Sequence, residues 1–268
     1  MSPILRTLST GLFAGAASLA VAGAAFAAPV VGLVDDKTLV WFDSESGEVT
    51  NTVEVEGVER LHGIDVRPAD GMLYGIGADG AIVTIDLESG AATAGATLSS
   101  MLPDGVEGMV DFNPAADRIR VMGQDGTNLR IHPETGETTV DGSLNFDAGD
   151  ANAEATPMVA ATAYTNGVIG AAAPEATAMY DIDTGLGALL RQTAPNDGTL
   201  ATIGELGIEL GDTVAFDIWA AEGGENTAWL ATGGSLYTVN LETGAAEMAV
   251  EITGLEGSLR DIAVLPAM

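Results

Sequence analysis

The chain combines 268 residues with a formal net charge of −30, and it contains no cysteine. Binding to nucleic acid or to an anionic membrane surface depends on clustered lysine and arginine, so the charge argues against both kinds of partner. The absence of cysteine excludes disulfides, thiol catalysis and cysteine-based metal sites. Packing alone must therefore stabilise the fold.

The first 27 residues predict a secretory signal peptide. Arg6 supplies a positive charge, residues 8–25 are small and apolar, and Ala25-Phe26-Ala27 matches the small-x-small pattern that precedes a cleavage site. We therefore expect a secreted or periplasmic protein in which residues 28–268 form one domain. No other stretch is long and apolar enough to span a bilayer, so we expect no membrane insertion after cleavage.

A strand that ends in a short acidic turn with glycine recurs along the rest of the chain. The turn glycines are Gly47, Gly90, Gly136, Gly185 and Gly244, spaced by roughly 40 to 60 residues. This period is typical of four-stranded propeller blades, in which the turn joins the two outer strands. Between the repeats, residues 141–157 and 191–212 are predicted to be long linkers.

Inner strands are predicted near Leu61, Glu107, Val159, Thr213 and Leu259. The last of these has no outer strands after it, whereas the N-terminal segment has outer strands but no inner one. The two ends therefore complete one blade. We predict an all-β fold, a five-bladed β-propeller in which the N- and C-terminal strands close one shared blade.

The stretch from Met109 to Asn145 predicts a meander of strands. If Gln124-Asp125-Gly126 is a three-residue loop with Gly126 in the left-handed conformation, the apolar residues of the two flanking strands share one face. The opposite face then carries Arg118, Arg120, Asn128, Arg130 and His132.

These arginines stand out because the chain has only nine lysines and arginines, among which Lys37 is the single lysine. The planar arginine fork suits carboxylate and phosphate groups. One interpretation is a buried or half-buried network with acidic residues, for which Asp111 and Asp117 are nearby candidates. The other is a subsite for an anionic ligand group. The ligand-binding candidates of the chain are Asp65, Arg67, Asp111, Asn113, Arg118, Arg120, Asn128, Arg130 and Asp217.

Several longer motifs occur together and in order. They read GIDVRPADGMLYGIG, VDFNPAADRIRVMGQDGTNLRIHPETG, AYTN with MYDID, PNDGTLATIGELG and VAFDI. With these motifs the chain resembles a bacterial exported family known as domain of unknown function 4394. The resemblance covers nearly all of residues 28–268 and implies a secreted, propeller-like domain. It carries over no catalytic residue.

Asp65, Asp111 and Asp217 occupy equivalent positions in three inner strands, where the other two inner strands offer Tyr164 and Ala263. Inner strands lie nearest the propeller axis, so the three carboxylates could approach one another. Like charges held close raise one another's pKa values or recruit a cation, and Ca²⁺ or Mg²⁺ would suit them. Alternatively, each carboxylate accepts hydrogen bonds from the backbone of the neighbouring blade or pairs with Arg67, Arg118 or Arg260.

Two functions are compatible with these patterns. Because no catalytic motif is visible, and because His62 and His132 lack metal-ligand spacing, we expect a non-enzymatic binding or scaffold module for a small-molecule, glycan or protein ligand. The alternative is a carboxylate- or metal-dependent hydrolase or lyase acting on extracellular glycans. Its first candidate residues are Asp65, Asp111 and Asp217, with Glu107 as a candidate acid.

The two functions predict different structures. An enzyme should show two carboxylates across an open axial pocket. A binding module should instead show a polar or aromatic face without a convergent pair of acids.

Overall fold

The structure of the protein is a computed structural model that describes residues 28–265. It is a five-bladed β-propeller made of five small sheets, which confirms the predicted fold. The predicted signal peptide, residues 1–27, lies outside the described residues. Within the described part, no helix is long and apolar enough to cross a membrane.

The strands are numbered in chain order, and the blades follow the chain. Blade 1 begins with β1 (Pro29–Val34), β2 (Thr38–Asp43) and β3 (Val49–Glu54). Blade 2 contains β4 (Leu61–Val66), β5 (Leu73–Gly77), β6 (Ala81–Ile85) and β7 (Ala92–Thr97). Blade 3 contains β8 (Gly108–Asn113), β9 (Arg118–Gly123), β10 (Asn128–Ile131) and β11 (Thr138–Val140).

Blade 4 is the largest sheet. It contains β12 (Asn145–Phe146), β13 (Val159–Tyr164), β14 (Met179–Asp183), β15 (Ala188–Ala194) and β16 (Thr199–Glu205), and a short 3₁₀ turn (Pro195–Asp197) links β15 to β16. Blade 5 contains β17 (Val214–Ala220), β18 (Asn226–Thr232), β19 (Ser235–Val239) and β20 (Ala246–Glu251). The last strand, β21 (Leu259–Val264), returns to blade 1.

The ring is closed by pairing between the two ends of the described chain. Strand β21 lies antiparallel to β1, with Val30 opposite Val264 and Gly32 opposite Ile262. It is the inner strand of blade 1, whose sheet order is β21-β1-β2-β3. This arrangement confirms the prediction of one blade shared between the N- and C-terminal strands.

The core is divided into five hydrophobic clusters, each between two neighbouring blades. Alternation along each strand sends side chains to both neighbours. In β1, Val31 and Leu33 pack against blade 2, whereas Val30 and Val34 pack against blade 5. Each fully buried aliphatic side chain contributes about 2 kcal/mol to folding, so the blades are stabilised mainly by contact with one another.

The glycines of the repeated turns lie against the outer strand of the preceding blade. Gly136 has a φ of +70°, and a Cβ there would lie 2.0 Å from the backbone oxygen of Thr97 in β7. The Gly136 carbonyl also accepts the N–H of Ser99 at 2.9 Å. The same approach to the backbone of the preceding blade is made by Gly47, Gly90 and Gly244. This part of the sequence repeat therefore reflects contacts that link the outer strands around the ring.

The prediction for Gly185 is wrong. Its turn joins β14 to β15, the second and third strands of blade 4, instead of the two outer strands. A Cβ on Gly185 would meet side-chain atoms of Met158 and Asp183 instead of another blade's backbone. The predicted linkers are also partly wrong, because they contain β12 and β16, which form the outer edge of this blade. The acidic glycine turn is a local motif that does not specify which strands it joins.

The predicted register of the arginine-bearing hairpin is confirmed. Val121 lies opposite Leu129 and Ile119 opposite Ile131 in the β9–β10 pair. Gly126 has a φ of +86° and completes a three-residue loop between Gly123 and Thr127. Arg120 and Arg130 are consequently direct cross-strand neighbours on the other face.

Replacing Gly136 with alanine should lower the free energy of unfolding by at least about 2 kcal/mol, because alanine is strained at positive φ and its Cβ would overlap the Thr97 carbonyl. Urea denaturation of the purified protein measures the loss. Gly185→Ala is the matched control and should change stability by less than about 1 kcal/mol, since Met158 is a flexible and exposed neighbour. Equal losses of stability in the two variants would contradict the conclusion that Gly136 is required by its contact with the preceding blade.

Candidate functional site

Asp65, Asp111 and Asp217 do converge on the propeller axis. They lie in the inner strands β4, β8 and β17, and all three are buried. One carboxylate oxygen from each lies within 4.8 Å of one oxygen from each of the others. The inner strands bring these three residues together from blades 2, 3 and 5.

The carboxylates accept backbone N–H groups of the next inner strand. Asp65 accepts the N–H of Phe112 at 2.7 Å, and Asp217 accepts that of Val264 at 2.6 Å. Each of these two carboxylates also accepts the N–H of the following residue in its own strand. Both oxygens of Asp65 and Asp217 are therefore hydrogen bonded to the backbone.

Asp111 uses only one of its two oxygens in this way. Its Oδ1 accepts the N–H of Tyr164 at 3.2 Å, and its Oδ2 accepts no hydrogen bond from any described residue. The side chain is nevertheless only 5% exposed. The Oδ2 atom is thus an acceptor that the described protein groups leave open, on a side chain that borders the axial cavity.

A fourth axial carboxylate, Asp261, is absent from the sequence-based candidates. It lies in β21, where its Oδ2 accepts the N–H of Ile64 at 2.9 Å and so joins blade 1 to blade 2. Gly63 makes room for it, since a Cβ there would lie 2.5 Å from Asp261 Oδ2. Asp261 stands two residues before Ala263, the position aligned with the other aspartates, which explains why alignment of the inner strands misses it.

The assignment of Tyr164 to the aspartate position is also wrong by one residue. Ala163 lies opposite Tyr180, as Asp65 lies opposite Tyr74 and Asp217 opposite Trp229. Tyr164 instead donates its backbone N–H to Asp111 and corresponds to Phe112.

Burial raises the pKa values of the axial carboxyl groups. The pKa of Asp65 lies well above its ordinary value because of burial and of the neighbouring Asp217, and that of Asp111 because of burial and of Asp65. Burial raises the pKa of Asp217 to about 6, although two backbone N–H groups favour its ionised form. No lysine or arginine of the described chain forms a salt bridge with any of the three.

The space beside these carboxylates is small. The cavity measures about 30 Å³ and is bordered by Trp219, Ile169 and Pro68 as well as by the three aspartates. This volume accommodates a water molecule or an ion and excludes a sugar ring.

Glu107, the candidate acid, lies at the other axial mouth. There a cleft of about 470 Å³ is lined by the beginnings of the inner strands. Glu107 forms ion pairs with Arg60 and with Arg260, the latter at 3.4 Å. Glu107 and the three aspartates therefore do not form an acid pair across one pocket.

The arginine-bearing face of blade 3 contains a buried ion network. Arg120 is 2% exposed and donates to Asn128 Oδ1 at 2.8 Å and to Asp141 Oδ2 at 2.7 Å. It also donates to the hydroxyl of Tyr164 and to Asn196, both at 3.2 Å. These partners lie on blade 3 and on the neighbouring blade 4, so Arg120 joins the two.

Asp141 is the shared acid of this network. It accepts two hydrogen bonds from Arg130, at 3.0 and 3.1 Å, in addition to the one from Arg120. Burial alone would raise the pKa of Asp141, but the hydrogen bonds from the two arginines outweigh it and hold the pKa below its ordinary value. Asn128 completes the network by donating to the carbonyls of Gly142 and Pro195.

The predicted partners of the arginines are therefore corrected. Asp111 lies opposite Arg120 in the β8–β9 pair, but its carboxylate forms no ion pair or hydrogen bond with an arginine of the described chain. Asp117 pairs with Arg67 of blade 2, with Nε to Oδ1 at 2.8 Å. Arg67 also bonds to Asp70 and Tyr74, so its fork is fully engaged. The hydrogen bond from Arg67 lowers the pKa of Asp117.

Two other arginines on this side of the molecule have no acidic partner among the described residues. Arg118 donates only to the backbone carbonyls of Ala116 and Asp117, and Arg191 is exposed and donates no hydrogen bond within the described chain. Asn113 lies between blades 3 and 4 and caps its own turn by accepting the N–H groups of Ala115 and Ala116.

Asn113 and Arg191 border two adjoining cavities, which we call the arginine groove. Arg118 lines neither cavity but donates to the carbonyl of Ala116, which does. One cavity measures about 460 Å³ and is lined by Arg120, Arg130 and the Pro195–Asp197 turn. The other measures about 310 Å³ and is lined by Arg191 and Tyr164. The two share Asn113 and Pro195, so the groove runs along the junction of blades 3 and 4.

Blade 4 also contains a carboxyl group without a cationic partner. Asp181 is fully buried in β14, and burial raises its pKa to about 7. Its Oδ1 accepts Gln192 Nε2 at 3.3 Å, while its Oδ2 and the Gln192 Oε1 have no hydrogen-bond partner. A proton on Asp181 Oδ2 would turn one of these two buried acceptors into a donor, so the neutral acid suits this environment better than the carboxylate does.

Comparison with known proteins gives a family and a fold. The family described as Domain of unknown function (DUF4394) matches residues 38–263. No curated protein matches the chain. A solved structure of a protein of unknown function from Bacteroides thetaiotaomicron VPI-5482 is 15% identical with a TM-score of 0.52, covering 90% of this chain and 65% of that one. This likeness extends to the fold alone.

Two further solved structures are more distant. A protein of unknown function from Bacteroides caccae is 13% identical with a TM-score of 0.44, covering 87% of this chain and 76% of that one. An auxiliary nutrient binding protein from Bacteroides thetaiotaomicron VPI-5482 is 12% identical with a TM-score of 0.45, covering 75% of this chain and 56% of that one. Both likenesses are too weak to add to the first.

Replacing Arg120 with glutamine should lower the free energy of unfolding by about 3 kcal/mol, because it breaks a buried ion pair and leaves Asn128 and Asn196 without their donor. Urea denaturation measures the effect. Arg118→Gln on the same strand face is the control and should have an effect below about 0.5 kcal/mol. Wild-type stability in Arg120→Gln would contradict a structural role for the network.

Replacing Asp181 with asparagine should stabilise the protein at pH 8 and have little effect at pH 4. The folded pKa of about 7 lies above the ordinary value of 3.8, so the unfolded chain ionises first and stability falls as pH rises between these values. The difference is on the order of 4 kcal/mol at pH 8. Unfolding free energies of both proteins across this pH range test it, and a difference that does not vary with pH would refute the assignment.

Proposed function

This chain belongs to the family described as a domain of unknown function (DUF4394), and we propose that it is a non-enzymatic binding module exported to the periplasm or beyond. Its ligand carries an anionic group and occupies the arginine groove between blades 3 and 4. The ligand class is a small molecule or glycan with a carboxylate or phosphate.

The observation that carries this proposal is the distribution of cations. Of the lysines and arginines in residues 28–265, all but two form an ion pair with an acidic side chain of the described chain. The two exceptions are Arg118 and Arg191. Arg191 lines the arginine groove, and Arg118 is next to it through its hydrogen bond to the carbonyl of the lining residue Ala116. In a protein with a net charge of −30, two neighbouring guanidinium groups without an acidic partner in the described chain favour an external anion as their partner.

The groove has the dimensions and the rigidity that binding needs. Its two cavities, of about 460 and 310 Å³, lie in the size range of small-molecule sites. The floor is held by the hydrogen bonds of Arg120 and Asn128, so the groove is formed before a ligand arrives. A preformed site loses less conformational entropy on binding.

No feature of the described residues favours the alternative of a glycan hydrolase or lyase. The backbone N–H groups occupy both oxygens of Asp65 and Asp217, and the cavity beside them is too small for a sugar ring. Glu107 lies at the other mouth between two arginines. The carboxylates proposed for catalysis therefore lack both a substrate space and a convergent partner.

The double variant Arg118→Gln/Arg191→Gln should bind anionic ligands at least about tenfold more weakly than the wild type while keeping its melting temperature. The probes are galacturonate, glucose 6-phosphate and acidic oligosaccharides, each paired with its uncharged analogue, in calorimetric titrations at two salt concentrations. Binding of the charged member of a pair alone, weakened by salt, is the expected result.

Lys37→Gln provides a control, because it removes one positive charge from blade 1, far along the ring from the groove. It should leave binding unchanged. Equal binding of neutral and charged probes, or unchanged affinity in the double variant, would refute the arginine groove as the ligand site.

A further inference from the structure

We propose that the three axial aspartates form a binding site for one hard divalent cation of the Ca²⁺ or Mg²⁺ type. The site is distinct from the arginine groove, and its existence does not depend on the proposed function. It would place the cation where blades 2, 3 and 5 meet.

The geometry of the donors supports the site. Asp65, Asp111 and Asp217 each direct one oxygen into a common region, with all three oxygens within 4.8 Å of one another. Cations with a preference for oxygen ligands bind such carboxylates at about 2.0 to 2.6 Å, which brings ligand oxygens to comparable separations. No nitrogen or sulfur ligand belongs to the cluster, so a hard cation is favoured over zinc or copper.

The open acceptor of Asp111 is a separate indication of a ligand. Asp65 and Asp217 use both oxygens for backbone N–H groups, yet Asp111 Oδ2 lacks any donor among the described residues although the side chain is only 5% exposed. This oxygen belongs to a largely buried side chain at the border of the axial cavity, so it is free to coordinate a cation there. Each hydrogen-bonded oxygen also retains a lone pair for a metal ion.

The surroundings of the cluster match a single small ion. The adjacent cavity of about 30 Å³ has room for a single ion, and Trp219 is among the residues that border it. No lysine or arginine of the described chain pairs with the three carboxylates or with Asp261 nearby. The region therefore has a concentration of negative charge without a cation of its own.

The proximity of Trp219 provides a direct test with Tb³⁺, which replaces Ca²⁺ in oxygen sites. Tb³⁺ added to the chelator-treated protein should show emission sensitised by tryptophan at a stoichiometry of one, and Ca²⁺ should compete for it. Trp219→Leu should lose most of this emission while still binding Ca²⁺ in calorimetric titrations. Unchanged emission in Trp219→Leu would place the ion elsewhere and overturn the proposal.

A second test uses the matched pair Asp111→Asn and Asp181→Asn, which each remove one buried carboxyl group. In 0.3 M NaCl, to suppress weak binding by surface carboxylates, Ca²⁺ or Mg²⁺ should raise the melting temperature of the wild type and of Asp181→Asn. Asp111→Asn should lose the rise and bind at least tenfold more weakly. If Asp111→Asn does not fold, the Tb³⁺ experiment on the wild type still decides.

The outcomes show whether a metal ion or bound protons neutralise the axial carboxylates. If neither Ca²⁺, Mg²⁺ nor Tb³⁺ binds with saturation at pH 8, the carboxyl groups are neutralised by protons and the proposal fails. If Ca²⁺ binds and Mg²⁺ does not, the site requires the larger ion with more ligands. Ligand binding in the arginine groove is measured separately with the organic probes, so failure of one proposal does not imply failure of the other.

Discussion

Hydrogen bonds between side chains of one blade and the backbone of the next hold the axis of this propeller together. Neighbouring inner strands belong to different sheets, so their edge N–H groups would otherwise lack partners in a region that is largely shielded from water. Asp261, Asp65, Asp111 and Asp217 serve four of the five junctions. At the junction of blades 4 and 5, Asn226 accepts the N–H of Asn166 and donates to its side chain instead. The ring is therefore closed at every junction by a polar side chain.

The use of aspartates at these junctions places carboxylate groups in a buried region, where the ionised form is least stable. A hydrogen bond to an ionised group contributes about 1.5 to 3 kcal/mol, but burial disfavours the ionised form, as the raised pKa values of Asp65, Asp111 and Asp217 show. Blade 4 contributes Ala163 to this level of the axis, and blade 1 contributes Ala263. The axis thus has room for three carboxylates at this position of the inner strands. Asp261 lies two residues earlier in its own strand, where the absence of a side chain at Gly63 leaves space for it. The negative charge of these buried carboxylates must then be neutralised, either by a bound cation or by protons.

The fold was largely predictable from the sequence, whereas the site was predictable only in part. Turn period, strand alternation and the Gln124-Asp125-Gly126 loop are local properties, so the five blades and the β9–β10 register follow from them. The closing blade follows from counting strands at the two ends. Hydrogen-bond partners that are distant in sequence and meet only in the folded chain could not be predicted. Asp141 lies in a segment that reads as a linker, and Asp261 stands two residues away from the shared aspartate position.

Gly185 illustrates the same limit at a turn. Its local sequence matches the repeat, but the reason for glycine at the other turns is the backbone of the preceding blade, which approaches Gly136 and not Gly185. A motif shared in sequence therefore had different physical causes in different blades. What distinguishes them is a contact between residues about 40 positions apart, which no local pattern encodes.

Tyr164 shows how the two candidate sites are related. Its backbone N–H donates to Asp111 at the axis, and its hydroxyl accepts from Arg120 beneath the arginine groove. The axial contact depends on the main chain and the groove contact on the side chain, so each can change without loss of the other. The same residue thus lies between a cluster of negative charge and a cluster of positive charge, within a protein whose outer surface is strongly acidic. Because cations are so few, their placement is the basis of the proposed anion site. Arg120 and Arg130, which the fold requires, are paired with Asp141, whereas Arg191 in the groove and Arg118 beside it have no acidic partner in the described chain.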